Sequence, residues 1–309
     1  MSDEAELRAE LATSRVTLGD KHPNTLALIN GMAALLQAMG KLAEAEPLFL
    51  EALAGTRETL GDKHQSTLTS VNNMAQLLHA QGKLAEAEPL MREALAGQRE
   101  ILVDKHLDTL TSMNNMGNLL QDLGKLAEAQ PLYHEALTGM RETLGERHPY
   151  TLVSMNGMAM LLRSQGKLAE AELLIHEVLT GQRETLGDKH RHTLSTINNM
   201  AILLLDMGKL AEAELLFREA YKGFRSLFGP RHPQTVDTAQ RLGRLLKARG
   251  EHAEAAPLLA KSLEVCALPS CGRGHAVGVK LEYCSLCHSV MYCCRVRALR
   301  PLVLRKSSV

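Results

Sequence analysis

Apolar residues recur every three or four positions in two consecutive stretches between Pro23 and Leu60. This spacing places apolar side chains on one face of an α-helix. Gly40 lies between the stretches, where a glycine with positive φ would end the first helix. The first stretch contains Leu26, Ile29, Met32, Ala33 and Leu36, and the second contains Leu42, Ala45, Phe49 and Ala52. The pattern therefore predicts a helical hairpin.

The hairpin pattern returns with a fixed period of 42 residues. A period in this range is typical of arrays in which each hairpin buries its apolar face against its neighbours. We therefore predict an all-α fold with six hairpins at residues 19–264 and a remnant helix of a preceding repeat at residues 1–18. One glycine marks each of the six copies: Gly40, Gly82, Gly124, Gly166, Gly208 and Gly250.

The residues that repeat in each copy resemble those of the tetratricopeptide repeat. The order is apolar, Met-Ala, Leu, then Ala, a bulky apolar residue and Ala, as in Val71, Met74-Ala75, Leu78, Ala87, Met91 and Ala94. The segments Asn-Asn-Met-Ala, Gly-Lys-Leu-Ala-Glu-Ala-Glu-Pro-Leu and Leu-Gly-Asp-Lys-His-Pro are similar to the 42-residue repeats of kinesin light chains. The resemblance implies a right-handed α-solenoid. It also implies a scaffold that binds peptide segments of other proteins in a concave groove.

Composition narrows the partner classes. The chain has 35 Lys and Arg against 35 Asp and Glu, so it lacks the positive surplus that nucleic acids and anionic membranes attract. No apolar run approaches the ~18 residues of a membrane span. No phosphate-binding loop, nucleophile elbow or His-Glu-x-x-His motif is present. We expect a cytoplasmic protein that is not an enzyme and contacts neither nucleic acid nor membrane; a sensor part of a larger enzyme is a further alternative.

An asparagine recurs on the first helix of each of the first five copies, where the resemblance implies the concave face. It donates and accepts hydrogen bonds at once, so one interpretation is that it holds the backbone of a bound peptide. The alternative is that the amides tie neighbouring helices together. The five residues are Asn30, Asn72, Asn114, Asn156 and Asn198, and Gln240 takes the place in the sixth copy.

Other positions of the first helix differ between copies and are our candidates for specificity. They change from polar to apolar and then to basic along the chain. This predicts a partner segment with an apolar anchor over Met160, Ile202 and Leu205 and an acidic residue near a basic side chain. The candidates are Ala34, Gln37, Gln76, His79, Asn118, Gln121, Met160, Arg163, Ile202, Leu205, Arg244 and Lys247.

Two further periodic residues have structural interpretations. A methionine beside the small core residue is predicted to fill the core: Met32, Met74, Met116, Met158 and Met200. A histidine recurs in the loop before each first helix. Histidines of adjacent copies are expected to lie roughly 10 Å apart, the distance between packed helices, which is too far for them to share a metal ion. We expect these residues to serve the turn before each first helix: His22, His64, His106, His148, His190 and His232.

All cysteines lie near the C-terminus, at Cys266, Cys271, Cys284, Cys287, Cys293 and Cys294. Residues 265–297 resemble a degenerate MYND-type zinc finger, a protein-interaction module, and residues 298–309 are expected to form a basic, disordered tail. Zinc needs four ligands. Cys266, Cys271 and Cys293 with Cys294 or His275 would supply one site, while Cys284 and Cys287 would need His288 or a borrowed ligand. The alternatives are a zinc-dependent regulator whose finger makes the main partner contact and a remnant that binds no metal.

Overall fold

The computed structural model describes residues 2–264. Within this range the regular structure is entirely α-helical, with 13 helices and no strand. This confirms the all-α prediction. The helices are α1 (Ser2–Leu18), α2 (Pro23–Ala38), α3 (Leu42–Leu60), α4 (Gln65–Ala80), α5 (Leu84–Ile101), α6 (Leu107–Asp122), α7 (Leu126–Leu144), α8 (Pro149–Ser164), α9 (Leu168–Leu186), α10 (Arg191–Asp206), α11 (Leu210–Phe228), α12 (Pro233–Ala248) and α13 (His252–Glu264).

The chain falls into two compact units, Met1–Gly223 and Phe224–Val309. In the first unit α2, α4, α6 and α8 each contact the helix before and the helix after, α10 contacts α9, and successive even-numbered helices from α2 to α10 also contact one another. This arrangement is an α-solenoid of hairpins. We call α2, α4, α6, α8, α10 and α12 the first helices and the partner in each hairpin the second helix.

Each first helix begins at a histidine whose ring caps the helix. The backbone of His64 is extended, and its Nδ1 accepts a hydrogen bond of 3.1 Å from the backbone N–H of Ser66. Only a ring nitrogen without a proton can accept this bond. The bond satisfies one of the N–H groups that the first turn of a helix leaves without a partner. The same bond forms at His22, His106, His148, His190 and His232, which confirms the predicted role in the turn.

The turns that follow α1 to α12 each contain a glycine with positive φ, except the turn after α5. Gly82 has φ of 81° after α4, and Gly145 has φ of 88° after α7. At the position equivalent to Gly145, repeat three has Val103, a residue that strongly disfavours positive φ. There α5 ends at Ile101, and Leu102 adopts an extended conformation with φ of −116°. The change in sequence therefore shortens the helix.

The core of the first unit contains the apolar stripes that the sequence predicts. On α2, Leu26, Ile29, Met32, Ala33 and Leu36 are all buried. The periodic methionines Met32, Met74, Met116 and Met200 are buried as predicted, and Met158 is partly buried against the same core. At one position of the repeat, a large side chain on each of α3, α5, α7, α9 and α11 is at most 1 % exposed: Phe49, Met91, Tyr133, Ile175 and Phe217.

Tyr133 has space because two neighbouring first helices have glycine beside it. A Cβ atom added to Gly157 on α8 would lie 2.6 Å from the ring, and one added to Gly117 on α6 would lie 3.0 Å from it. The phenolic hydroxyl donates a hydrogen bond of 2.6 Å to Oδ1 of Asn118. Burial raises the pKa of this hydroxyl above its ordinary value, so it stays protonated. The aromatic ring is thus held between two hairpins.

Ion pairs repeat along the second helices. The lysine before a second helix pairs with a glutamate of the preceding second helix, as in Lys125–Glu88 at 2.8 Å. This bond and a second one from Arg92 lower the pKa of Glu88. Solvent screens these partly exposed charges, so the pairs assist the register of the hairpins more than their stability. Further pairs of this kind are Lys41–Glu4, Lys83–Glu46 and Lys209–Glu172, and those from the ends of second helices are Arg15–Glu51, Arg57–Glu93, Arg99–Glu135 and Arg183–Glu219.

The helix α1 makes the contacts that a second helix makes with the hairpin after it. Glu4 forms an ion pair with Lys41, and Arg15 forms one with Glu51. The hydroxyls of Ser14 and Thr25 share a buried hydrogen bond of 2.7 Å. These residues stand one period before Glu46, Arg57 and Thr56. The helix covers the α2 side of the array.

The second unit contains the end of α11, α12 and α13. Leu242, Leu245 and Leu246 of α12 are buried, and Gly243 lies against Leu259 of α13. The rings of Phe228 and His232 stack with centroids 4.1 Å apart.

The histidine cap yields a prediction for stability. Replacing His64 by Ala should lower the free energy of unfolding by about 1 kcal/mol, because the N–H of Ser66 loses its acceptor. His64→Asp should retain most of the stability, since a carboxylate also accepts this bond and suits a helix N-terminus. Chemical unfolding followed by circular dichroism measures both variants. Equal losses for the two substitutions would show that the ring nitrogen is not what matters.

The contact at Gly157 yields a second prediction. Gly157→Ala should destabilise the protein by roughly 1–3 kcal/mol, because the added methyl group meets the buried ring of Tyr133. The same substitution combined with Tyr133→Met, the residue type of Met91, should cost much less. Gly31→Ala is the matched control: nothing lies within 4 Å of its added Cβ, so it should stabilise α2 by up to about 1 kcal/mol. Similar effects of Gly31→Ala and Gly157→Ala on denaturant midpoints would contradict the ring contact.

Candidate binding surface on the first helices

Five positions of each first helix form a continuous accessible stripe in the first unit. They are residues 2, 5, 9, 12 and 16 of the helix, which fall within an arc of about 80° at ~100° per residue. We call this surface the first-helix stripe. All its residues except Ile202 are half-buried or exposed. They are Asn24, Ala27, Gly31, Ala34 and Ala38 on α2; Ser66, Thr69, Asn73, Gln76 and Ala80 on α4; Asp108, Thr111, Asn115, Asn118 and Asp122 on α6; Tyr150, Val153, Gly157, Met160 and Ser164 on α8; and His192, Ser195, Asn199, Ile202 and Asp206 on α10.

Side chains 43 residues apart join one first helix to the next. Three such bonds, seven residues apart, connect α4 to α6: Gln65 to Asp108 at 2.7 Å, Asn115 to Asn72 at 3.4 Å, and His79 to Asp122 at 2.6 Å. Corresponding bonds are Gln121 to Ser164 at 3.3 Å, Asn199 to Asn156 at 3.3 Å, and Arg163 to Asp206 at 2.6 Å. We call them seam bonds. They fix the lateral spacing of the stripe.

The recurrent asparagines are engaged between repeats. Asn72 and Asn114 are each only 7 % exposed. Nδ2 of Asn30 donates to Ser70 at 2.6 Å, and Oδ1 of Asn114 accepts from Ser154 at 3.0 Å. Asn72 and Asn156 accept the seam bonds, and Asn198 is half-buried on α10. These contacts are those of the structural alternative, in which amides tie neighbouring helices; peptide binding by the same asparagines stays a prediction.

The candidate specificity residues differ in what they contact. Gln76, Asn118 and Met160 lie on the stripe, and the side chain of Asn118 accepts a hydrogen bond from the hydroxyl of Tyr133. His79, Gln121 and Arg163 lie beside the stripe and make seam bonds to the next first helix.

The remaining candidates offer less to a common site. Ile202 is 8 % exposed and Leu205 is 36 % exposed, so Ile202 presents little surface for an apolar anchor. Arg244 and Lys247 are exposed on α12 in the second unit. The positive charge of Arg163 is compensated by Asp206, so the predicted preference for an acidic partner residue rests on Arg244 and Lys247 and stays a prediction.

His192 is the stripe residue with a strongly shifted pKa. Burial, together with the charges of Arg191 and His190, lowers the pKa of its ring to about 4. The ring is therefore neutral at physiological pH and adds no positive charge to the stripe.

The sequence did not predict several stripe residues as binding candidates, notably Asp108, Asp122, Tyr150 and Val153. The signal that could have found them is the position within the helix, because residues 2, 5, 9, 12 and 16 share one face. Sequence reasoning concentrated on positions 12 and 15 of each first helix instead.

The cysteine segment lies outside the described residues. The predicted zinc ligands, from Cys266 to Cys294, and the predicted finger and tail therefore stay predictions. Among residues 2–264, no cluster of three or more His, Asp or Glu side chains is arranged to hold a metal ion. No helix in the described part of the chain is long and apolar enough to cross a bilayer.

The repeating hairpins and their stripe define a class, the helical-repeat solenoids, and comparison with known proteins identifies the family. The model of the tetratricopeptide repeat family matches residues 25–100, 108–184, 160–226 and 192–267. The chain belongs to the tetratricopeptide repeat family.

Known structures share this architecture. The nearly identical TPR-like repeats of a Podosopora anserina protein named for kinesin light chain are 27 % identical, with a TM-score of 0.51, over 67 % of this chain and 98 % of that one. BtubC (BKLC) from P. vanneervenii is 19 % identical, with a TM-score of 0.52, over 84 % and 97 %. NprR bound to its cognate peptide NprX is 16 % identical, with a TM-score of 0.62, over 85 % of this chain and 73 % of NprR. The apo form of the quorum sensor NprR from B. thuringiensis is similar as well. No curated protein matches the chain.

The pKa of His192 predicts a pH dependence of stability. In the unfolded chain the ring has its ordinary pKa of 6.5 and binds a proton below that pH, whereas the folded protein keeps the ring neutral down to about pH 4. The unfolded state therefore binds more protons in this window, and the free energy of unfolding falls as the pH drops from 6.5 towards 4. His192→Tyr, the residue type of Tyr150, should lose less stability over the same window. Urea midpoints at several pH values measure this, and parallel pH profiles for the two proteins would contradict it.

Proposed function

We propose that this protein is an interaction scaffold that binds peptide segments of partner proteins along the first-helix stripe. The observation that supports this most is that some side chains of the first helices bond to the neighbouring first helix, whereas others remain accessible to a ligand. The seam bonds satisfy side chains at the edges of the stripe, while Thr111, Asn118, Val153 and Met160 remain accessible between them. A surface that is rigid, accessible and different in each repeat suits recognition of a long segment.

Structural relatives support the same proposal. NprR has been seen with its cognate peptide, and the Podosopora anserina relative carries a kinesin light chain name. We infer that this chain, like other tetratricopeptide repeat proteins, uses the face formed by its first helices. The proposed activity is binding, with no catalytic step.

A peptide array tests the proposal. The array carries random 12-residue peptides and is probed with the labelled full-length protein. Thr111→Trp places a large side chain on the stripe of α6 and should weaken binding of the selected peptides by at least about tenfold, equivalent to ~1.4 kcal/mol. Thr180→Trp is the matched control, because Thr180 is exposed on the second helix α9, and it should leave binding unchanged.

Two results would contradict the proposal. One is equal binding by wild type and Thr111→Trp, with circular dichroism showing that both are folded. The other is an array on which no peptide exceeds background.

A further inference from the structure

The charge on the first-helix stripe is negative. From α2 to α10 the stripe contains three aspartates, Asp108, Asp122 and Asp206, and no lysine or arginine. Arg163 compensates Asp206 with an Nε–Oδ2 distance of 2.6 Å. The zero net charge of the whole chain is a sum of two unequal parts. Residues 1–264 contain 34 Asp and Glu against 28 Lys and Arg, whereas residues 265–309 contain one acidic and seven basic residues.

The other two carboxylates of the stripe, Asp108 and Asp122, lie on α6 and form no ion pair with a lysine or arginine of the described residues. Asp108 accepts a hydrogen bond from the neutral amide of Gln65, and Asp122 is bonded to the imidazole of His79. Among the described residues, no lysine or arginine nitrogen lies within 4.0 Å of either carboxylate. The side chains of Asp108 and Asp122 are 39 % and 52 % exposed, so both can meet a ligand.

The neighbouring helix α8 presents the apolar part of the stripe. Tyr150 is 48 % exposed, and Val153 and Met160 are half-buried. Gly157 between them has no side chain, and the ring of Tyr133 fills the space that its Cβ atom would take. The seam bond from Gln121 to Ser164 holds α6 and α8 side by side.

We propose that the α6–α8 part of the stripe binds a segment whose lysine or arginine side chains flank an aliphatic or aromatic one. This rests on the proposed function and names the chemistry of its ligand. The apolar side chain packs between Val153 and Met160, and the basic side chains pair with Asp108 or Asp122. These carboxylates are 14 residues apart, about 21 Å along the helix axis, so they lie towards opposite ends of the apolar patch.

The physical reason is complementarity of charge and apolar area. A partner carboxylate at this place would meet two like charges, which disfavours it, whereas a lysine or arginine gains a partially desolvated partner. The apolar anchor supplies the burial that charges alone do not give.

Two defined peptides test the sign of the charge. One consists of three repeats of Lys-Val-Thr-Leu, the other of three repeats of Glu-Val-Thr-Leu, and both carry fluorescein at the N-terminus. Fluorescence anisotropy with the full-length protein should show the lysine peptide binding at least about tenfold more tightly at 50 mM salt. Its affinity should fall as salt is raised.

Variants locate the effect on α6. Asp108→Asn with Asp122→Asn should weaken the lysine peptide by about tenfold or more and reduce its salt dependence. Glu86→Gln with Glu170→Gln removes the same charge from the second helices α5 and α9, where both carboxylates are exposed, and should change the affinity by less than about twofold. Val153→Asn with Met160→Gln should weaken the lysine peptide as well, since the anchor is lost.

The outcomes separate this inference from the proposed function. Tighter binding of the glutamate peptide, or equal losses in the Asp and Glu double variants, would overturn the inference. If Thr111→Trp still abolishes array binding in that case, the stripe remains the binding surface for a different chemistry. If Thr111→Trp has no effect on either probe, the proposed function itself is wrong.

Discussion

The structure depends on the packing of the second helices α3, α5, α7 and α9 against two first helices each, their own and the next. Each of these second helices buries one large side chain at the same repeat position. Tyr133 shows the geometry most clearly because its ring lies against Gly117 on α6 and Gly157 on α8. A helix of 16 to 19 residues has little stability alone in water. Each hairpin is therefore stable because its neighbours enclose this contact, and the 42-residue period follows from repeating it.

This packing also decides which polar groups are available for binding. It brings successive first helices close enough for side chains 43 residues apart to bond, and the asparagines Asn72 and Asn156 are used in this way. On α6 the accessible side chains are a threonine, amides and two seam-bonded aspartates, whereas on α8 they are mainly apolar. Adjacent repeats with nearly the same core therefore present different surfaces.

Much of the fold could be predicted from the sequence because local signals agree with it. The apolar spacing of α2, the glycine after it and the histidine before α4 each act within a few residues. The site was less predictable, because the pairing of Arg163 with Asp206 and the burial of Ile202 depend on how one hairpin is rotated against the next. The resemblance to a family located the face but did not indicate which of its side chains neighbouring helices already bind.

Hydrogen exchange of the full-length protein, followed by mass spectrometry of peptic fragments, tests the central claim most directly. If hairpins are stabilised by their neighbours, opening α6 requires the loss of contacts on both sides, so backbone amides of α4, α6 and α8 should exchange more slowly than those of α1. Amides of α1 that exchange as slowly as those of α6 would contradict the account.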